Sequence, residues 1–298
     1  MFVMSGLHLP VMKDEVVRFL DPKSGEDFVD CTVGLGGHAL AVLEWTRPSG
    51  RVLGLDVDPV ILERLKEKVE GTEYEERLIL ACGNFANLGE IVNRFAFGRV
   101  SGVLFDLGLS SWHLEESGRG FSFLRNEPLD MRYSSENPLT AEFIVNFWSL
   151  RDIEGILRVY GQERFARRIA EEIVRSRPLR TTVDLVMAVE RATPSWYHRG
   201  RIHFATKTFQ ALRIAVNNEL ENLERALPQA LDVLDEGGRL IVISFHSLED
   251  HIVKNFLREK AKEGVVKILT KKPVRPSEKE VKENPRARSA RLRAALKL

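Results

Sequence analysis

Cysteine is nearly missing from this 298-residue sequence, which holds only Cys31 and Cys82. Two thiols make a sparse disulfide framework, and no spacing of His and Cys suggests a zinc site, so no metal is expected. Each cysteine ends an apolar run that reads as a buried strand, and both are expected to be inert core thiols. Long apolar runs are missing too. No stretch approaches the roughly 18 to 20 apolar residues that cross a bilayer, and Met1 to Asp14 has no uninterrupted apolar core of the signal-peptide kind. A cytoplasmic protein without a membrane partner is the expectation. There is no internal repeat and no low-complexity segment.

Net charge is small as well, since 44 Lys/Arg face 43 Asp/Glu. The distribution is uneven. From Ser117 to Arg213 there are 16 basic against 11 acidic residues, and from Lys267 to Leu298 there are 11 against 3. Basic segments on an otherwise acidic chain suit a polyanionic partner that meets one face.

Apolar runs at Phe28 to Cys31, Val52 to Leu55, Arg77 to Ala81 and Gly102 to Phe105 read as strands, each ending near Gly or Asp. Helical spacing separates them at His38 to Trp45, Pro59 to Val69 and Asn87 to Ala96, the second opened by Asp58 as N-cap with proline at the first helical position. After Asp106 the alternation stops for about a hundred residues. A polar loop and four patterns of helical period follow, at Thr140 to Asn146, Leu150 to Tyr160, Arg164 to Arg175 and Val183 to Ala192. One long helix from Phe209 to Leu234, a Gly237-Gly238 turn, a strand Arg239 to Ser244, a helix Leu248 to Lys260 and strands near Val265 to Thr270 and Ala290 to Leu296 complete the chain. The Pro- and charge-rich Lys271 to Arg288 is expected to run over the surface.

Strands alternating with helices imply a parallel α/β sheet covered on both faces, with ligands at the carboxyl ends of its strands. The expected division is residues 1–114 and 214–298 as the sheet domain, and 115–213 as an inserted helical domain.

The first strand runs into Asp30-Cys31-Thr32-Val33-Gly34-Leu35-Gly36-Gly37-His38, where three glycines allow a tight turn and close approach of the backbone to a ligand. Gly34, Gly36 and Ala39 also fit a loose dinucleotide fingerprint, with Asp56 about 20 residues on to hold a ribose. A nicotinamide-dependent oxidoreductase is thus one reading. Three features favour another. Asp30 lies beside the glycines, where a carboxylate suits a cationic amino-acid group better than a pyrophosphate. Phe85 follows the third strand and could cover an adenine. Asp106 follows the fourth and opens a loop of small residues. Together these describe a pocket for an adenosyl amino acid.

Ten segments in order carry a resemblance. They are His8-Leu9-Pro10-Val11, Gly36-Gly37-His38, Asp56-Val57-Asp58-Pro59, Asp106-Leu107-Gly108-Leu109-Ser110-Ser111, Arg119-Gly120-Phe121-Ser122-Phe123, Pro128-Leu129-Asp130-Met131-Arg132, Tyr160-Gly161-Gln162-Glu163-Arg164, Thr208-Phe209-Gln210-Ala211-Leu212-Arg213-Ile214, Ser244-Phe245-His246-Ser247-Leu248-Glu249-Asp250 and Asn284-Pro285-Arg286-Ala287-Arg288-Ser289. Over essentially its whole length the chain resembles the bacterial 16S ribosomal RNA cytosine-N4 methyltransferases of the MraW or RsmH type. The resemblance implies a Rossmann-like class I methyltransferase sheet with an all-helical insertion after the fourth strand. It implies S-adenosylmethionine as methyl donor and, as partner, 16S ribosomal RNA or the small subunit. By position the cofactor residues are Gly36, Gly37, His38, Asp56, Phe85, Asp106 and His113. Trp112-His113 stands where relatives commonly carry proline and glutamine, and Phe204 and Lys207 replace a frequent proline and arginine.

The amino nitrogen of cytosine becomes nucleophilic only as it pyramidalises, so a hydrogen-bond acceptor on its hydrogens is required. Asp106, or the backbone carbonyls just after it, is the expected acceptor, with Asp106 as the catalytic residue, although the prolines and aromatic that follow the corresponding acid in many amino-methylating enzymes are missing. Asp130, Arg132, His203 and His246 are candidates for holding the RNA or assisting proton removal. Trp112 is expected among the platforms for an unstacked base. A non-catalytic RNA-binding ribosome assembly factor remains as the non-enzymatic alternative.

Overall fold

The computed structural model describes residues 10–298, so His8 and Leu9 of the first matching segment lie outside the described residues. In chain order the elements begin with α1 (Lys13–Leu20), β1 (Phe28–Asp30), α2 (Gly37–Trp45), β2 (Val52–Asp56), α3 (Pro59–Val69), β3 (Leu78–Cys82), α4 (Leu88–Arg94) and β4 (Val100–Asp106). Next come the helices α5 (Ser111–Glu115), α6 (Ala141–Phe147), α7 (Leu150–Val159), α8 (Ala166–Arg175), α9 (Thr182–Ala192) and α10 (Thr206–Asn217). The chain closes with α11 (Glu219–Val233), β5 (Leu234–Ser244), α12 (Ser247–Lys262), β6 (Val266–Ile268), α13 (Glu278–Glu283) and β7 (Arg291–Lys297). Two compact units result, Met1–Gly108 with Leu220–Leu298, and Leu109–Glu219.

The first unit is a seven-stranded sheet of order β3-β2-β1-β4-β5-β7-β6. Side chains alternate across it with period two. Val29, Leu53, Val103, Phe105, Leu240 and Val242 pack on one face against Leu88 and Ile91 of α4, Leu223 and Leu227 of α11, and Val253 and Leu257 of α12. Phe28, Val52, Leu104, Ile241 and Ile243 pack on the other, against Val16 and Leu20 of α1, Val42 and Leu43 of α2, and Leu62 and Leu65 of α3. Burial on both faces is why these strands read as continuous apolar runs.

Strands β1 to β5 are parallel, but β7 runs antiparallel between β5 and β6. The all-parallel expectation therefore fails at one edge. Apolar periodicity is the same for both directions, so the pattern could not reveal it. The expected long helix is two helices, broken at Asn218, which turns left-handed with φ of 49° and donates its N–H to Ile214. Cys82 is a second correction. It is exposed at the end of β3, whereas Cys31 is buried as expected.

The second unit is all-helical. Ile144, Val145, Ile153, Leu157, Ile169, Ile173, Leu185, Val189 and Leu212 form a core of their own, each from the apolar stripe of its helix. Side-chain caps fix where these helices start: Thr140 opens α6, Ser149 opens α7, and Thr181 with Asp184 forms a capping box at α9. Among the described residues no helix is long and apolar enough to cross a membrane.

Candidate active site

Strand order reverses between β1 and β4, which opens a crevice at the carboxyl edge of the sheet. Four neighbouring strands end there on Cys82, Asp56, Asp30 and Asp106, in that spatial order. Three carboxylates thus stand in a row beside the glycine loop. The loop is held open by its own chemistry. Gly36 sits at φ 81°, and a Cβ there would lie 2.5 Å from Leu65 Cδ1. At Gly37 a Cβ would approach Pro10 to 2.9 Å. Only glycine satisfies both the turn and these contacts.

Asp56 accepts hydrogen bonds from the N–H of Gly34 at 3.2 Å and of Asp58 at 3.0 Å, which ties the end of β2 to the loop. Asp58 in turn caps α3 through the Val60 N–H, with Pro59 at the first helical position as its sequence implies. Thr32 has a part that sequence reasoning missed, since its hydroxyl accepts the Asp106 N–H at 2.7 Å and fastens the loop to β4. A threonine inside a glycine loop carries no signal of such a bond in sequence.

Asp30 is fully buried, and its Oδ1 accepts the Thr32 N–H at 3.1 Å. Its Oδ2 has no hydrogen-bond partner among the described residues. Burial pushes its pKa up to about 6, helped by the charges of Asp106 and Asp56 and opposed by His38 and the Thr32 N–H. His38, at the start of α2, is also buried and places Nε2 3.3 Å from Asp106 Oδ2. The angles fall outside hydrogen-bond geometry, and both ring nitrogens and Asp106 Oδ1 lack hydrogen-bond partners among the described residues. Burial alone would lower the His38 pKa, but the Asp106 carboxylate, with Asp30 and Glu280 behind it, raises it overall. Phe85 stands just beyond β3 and packs edge-on against Phe105, with ring centroids 5.5 Å apart.

Orphaned buried atoms mark groups shaped for something the protein does not itself supply. Here they are carboxylate oxygens and imidazole nitrogens around a glycine turn, with an aromatic ring at the neighbouring strand end. That donor set fits an adenosyl amino acid: Asp30 for an ammonium, Asp56 for ribose hydroxyls, Phe85 for the adenine. A pyrophosphate would meet three carboxylates.

His246 follows β5 in the same unit as the N-cap of α12. Its Nδ1 accepts the Glu249 N–H at 3.3 Å, and Glu249 Oε2 accepts the His246 N–H at 3.2 Å and the Phe245 N–H at 2.8 Å. Nε2 lies 3.2 Å from Glu249 Oε1. This is a capping box with imidazole in place of a hydroxyl, and it gives His246 a structural task.

The remaining sequence candidates belong to the helical unit. His113, on α5, is buried among the rings of Trp112, Phe121 and Tyr133, and its Nδ1 shares a hydrogen bond with Ser110 Oγ at 2.8 Å. Trp112 is only 5% exposed, and Arg119 lies over its ring at 5.1 Å. A covered ring cannot offer a face to a base, so the expectation of a stacking platform at Trp112 is not met. Arg132 clamps Asp130 through two bonds of 2.8 Å and also donates to the carbonyls of Ser135 and Asn137. The pair orders its own loop and holds the Asp130 carboxyl below the usual range against the opposing effect of burial. His203 is stacked between Phe123 at 4.4 Å and Phe204 at 4.3 Å, and burial lowers its pKa.

Residues 5–298 match the family described as the MraW methylase family. A protein named ribosomal RNA small subunit methyltransferase H from Thermotoga neapolitana is 48% identical over 291 residues, covering 97% of this chain and 95% of its own. The proteins of that name from Thermosipho melanesiensis and Persephonella marina are 44% and 45% identical, over 97% and 98% of this chain and 97% and 99% of theirs.

Proposed function

The chain belongs to the MraW methylase family, and from that premise we propose that it methylates the N4 amino group of a cytidine in the decoding region of 16S ribosomal RNA. It is an S-adenosylmethionine-dependent ribosomal RNA methyltransferase. The observation that carries the pocket assignment is the row of strand-end carboxylates at a glycine turn, with Asp30 Oδ2 and Asp106 Oδ1 both buried and unbonded among the described residues. The proposed workplace is the cytoplasm. Free RNA, an assembly intermediate and the complete small subunit are all chemically acceptable substrates. The proposed RNA-recognition domain is the helical insertion at 115–213, which corresponds closely to the compact unit Leu109–Glu219.

When bound, the cofactor supplies an electrophilic methyl group on a sulfonium. In our reading Gly36 and Gly37 leave the room for it, Asp30 takes the ammonium, Asp56 the ribose hydroxyls, and Phe85 packs along the adenine. His38 and His113 complete the set, His113 by family position. Methyl transfer is an in-line displacement, so the residues' main task is to hold donor and acceptor at attack distance.

Asp106 is the proposed acceptor for the hydrogens of the base amine. As the nitrogen pyramidalises, one N–H donates to the carboxylate, and after transfer the surplus proton leaves through it. His38 Nε2 stands 3.3 Å from Asp106 Oδ2, close enough for the imidazole to help hold the carboxylate in place for the amine, and that carboxylate in turn raises the His38 pKa against the effect of burial. Among the substrate candidates we give His203 direct contact with RNA, because the residue is exposed even though its ring is flanked by Phe123 and Phe204. Asp130, Arg132 and His246 act on the substrate through the loops they shape.

Mass mapping of nucleosides in small-subunit RNA, from cells with and without the protein, tests the substrate. Loss of one N4-methylated cytidine is expected, and an unchanged nucleoside profile would refute it. Calorimetry tests the pocket separately: heat of association is expected with S-adenosylmethionine and its demethylated product, whereas binding of NAD instead would return the oxidoreductase reading.

A further inference from the structure

The chemistry above leaves the Tyr160 to Arg164 segment unused, and that segment opens a surface of unusual make-up on the helical unit. The Arg164 guanidinium lies 4.8 Å from the ring centroid of Trp196 and 5.0 Å from that of Phe165. Arg168, in the first turn of α8, lies 5.8 Å from the Phe165 ring. Trp196 is 53% exposed, which is rare for so large an apolar ring.

The one acidic residue of the segment is turned inward. Glu163 is 2% exposed, accepts the Tyr197 hydroxyl at 2.6 Å and the Phe165 N–H at 2.9 Å, and is spent on those bonds. Burial and the Glu163 carboxylate together push the Tyr197 phenol well above its usual range, so it stays a donor. This inner clasp pins Tyr197, and with it the neighbouring Trp196, against the start of α8.

Carboxylates are available nearby but engaged elsewhere. Arg167 pairs with Glu171 at 2.9 Å and with Glu154 at 3.7 Å. By contrast the exposed guanidiniums of Arg164, Arg168, Arg199 and Arg201 form no ion pair and donate no side-chain hydrogen bond among the described residues. The stretch from Arg191 to Asn218 contains five Lys/Arg and no Asp or Glu. Arg164 and Arg168 beside a half-exposed indole, with Arg199 and Arg201 three and five residues beyond it in the chain, form a surface short of anions, and about half of Trp196 is open to solvent there.

We propose that Arg164, Arg168 and Trp196, with Arg199 and Arg201 in the turn and loop that follow, bind a single-stranded segment of the RNA substrate, guanidiniums on phosphates and the indole against an unpaired base. The proposal rests on the ribosomal RNA reading above and adds a recognition surface to it. An acidic peptide would answer the charge but not the ring. Nucleic acid answers both, because each phosphate comes with a π-face one nucleotide away. The Arg164–Trp196 contact also holds guanidinium and indole in place beforehand, so less conformational freedom is lost on binding.

The test is fluorescence anisotropy of a labelled single-stranded oligonucleotide copied from small-subunit RNA, titrated at several KCl concentrations. Replacing both Arg164→Ala and Arg168→Ala is expected to weaken binding by at least tenfold and to flatten the log K against log salt slope by about 1.4, two phosphate contacts at about 0.7 each. Trp196→Ala is expected to weaken binding by about tenfold at every salt concentration with the slope unchanged, and Trp196→Phe to recover most of the loss. Cofactor affinity and turnover at saturating RNA stay at wild-type values. Folded variants that bind RNA as wild type does, with an unchanged slope, would overturn the proposal, as would an effect confined to an acidic peptide. A wild-type protein that binds the RNA without methylating it would instead overturn the reading of the active site and leave this surface standing.

Discussion

His38 Nε2 and Asp106 Oδ2 stand 3.3 Å apart, joining the first turn of α2 to the carboxyl end of β4. The proposed acceptor acid therefore has a buried imidazole partner within its own unit, and the carboxylate raises that imidazole's pKa. Because the folded pKa of His38 is raised above its unfolded value near 6.5, the pair's contribution to stability is fully present below about pH 6.5. It fades as pH rises through the folded pKa. Urea unfolding of wild type and His38→Gln should show a stability gap at pH 6 that narrows by pH 9. NMR should find the imidazole titrating above the ordinary range, and Asp106→Asn should bring it down. A His38 midpoint at or below 6.5 would contradict the pairing.

Asp106→Ala separates holding the cofactor from accepting the amine. Removing an acceptor used in the transition state is expected to lower kcat by on the order of a hundredfold or more. Cofactor affinity, measured by calorimetry, should change far less. If affinity collapsed while turnover at saturating cofactor stayed at wild-type level, Asp106 would be a cofactor ligand only.

Asp30 combines a cost to the fold with a use to the ligand. Its pKa of about 6 exceeds the unfolded value of 3.8, so folding favours the protonated form. Stability falls as pH rises through 4 to 6, and the buried carboxylate is a net burden above that range. Asp30→Asn should stabilise the ligand-free protein at pH 7.5 by on the order of 2 kcal/mol and flatten its pH dependence below pH 6. The same change should weaken cofactor binding at least tenfold. Loss of stability at pH 7.5 would show that the carboxylate is better accommodated than its burial implies.

These groups were visible in the sequence because of where apolar runs stop. Strands β1, β2 and β4 end directly on Asp30, Asp56 and Asp106, and parallel strands bring their carboxyl ends to one edge. Strand direction at β7 was invisible, since alternation has no polarity. The break between α10 and α11 left only Asn217-Asn218 as a signal, inside a stripe whose helical period runs on. Asparagine tolerates the left-handed turn that ends a helix, yet most asparagines in helices do no such thing. The clamp of Asp130 by Arg132 and the cap at His246 could not be told from substrate contacts in the sequence for one reason: at short spacing a reactive pair and a structural pair have the same letters.

Gly36 marks the point where the loop tolerates least. Alanine would need φ near 81° and would place a methyl 2.5 Å from Leu65 Cδ1. Gly36→Ala is expected to cost about 1–3 kcal/mol, the left-handed strain plus displacement of a packed leucine. Thermal melting should show the drop. Unaltered melting would mean that Leu65 yields freely, and cofactor binding would then be the more sensitive gauge.

Arg132 shows how a candidate substrate residue can be tested for an internal task. Its guanidinium makes a two-pronged clamp on Asp130 and reaches the carbonyls of Ser135 and Asn137, a fork that a lysine ammonium cannot reproduce. Arg132→Lys keeps the charge and removes the fork. If the residue orders its loop, the variant should lose about 1–2 kcal/mol in urea unfolding, and the salt dependence of RNA binding should stay as in wild type. If Arg132 instead lies on a phosphate, stability should hold while RNA affinity falls, because lysine is a poorer two-pronged donor to that group. Because Arg132 donates at every arm of its guanidinium within the loop, the first outcome is the expected one.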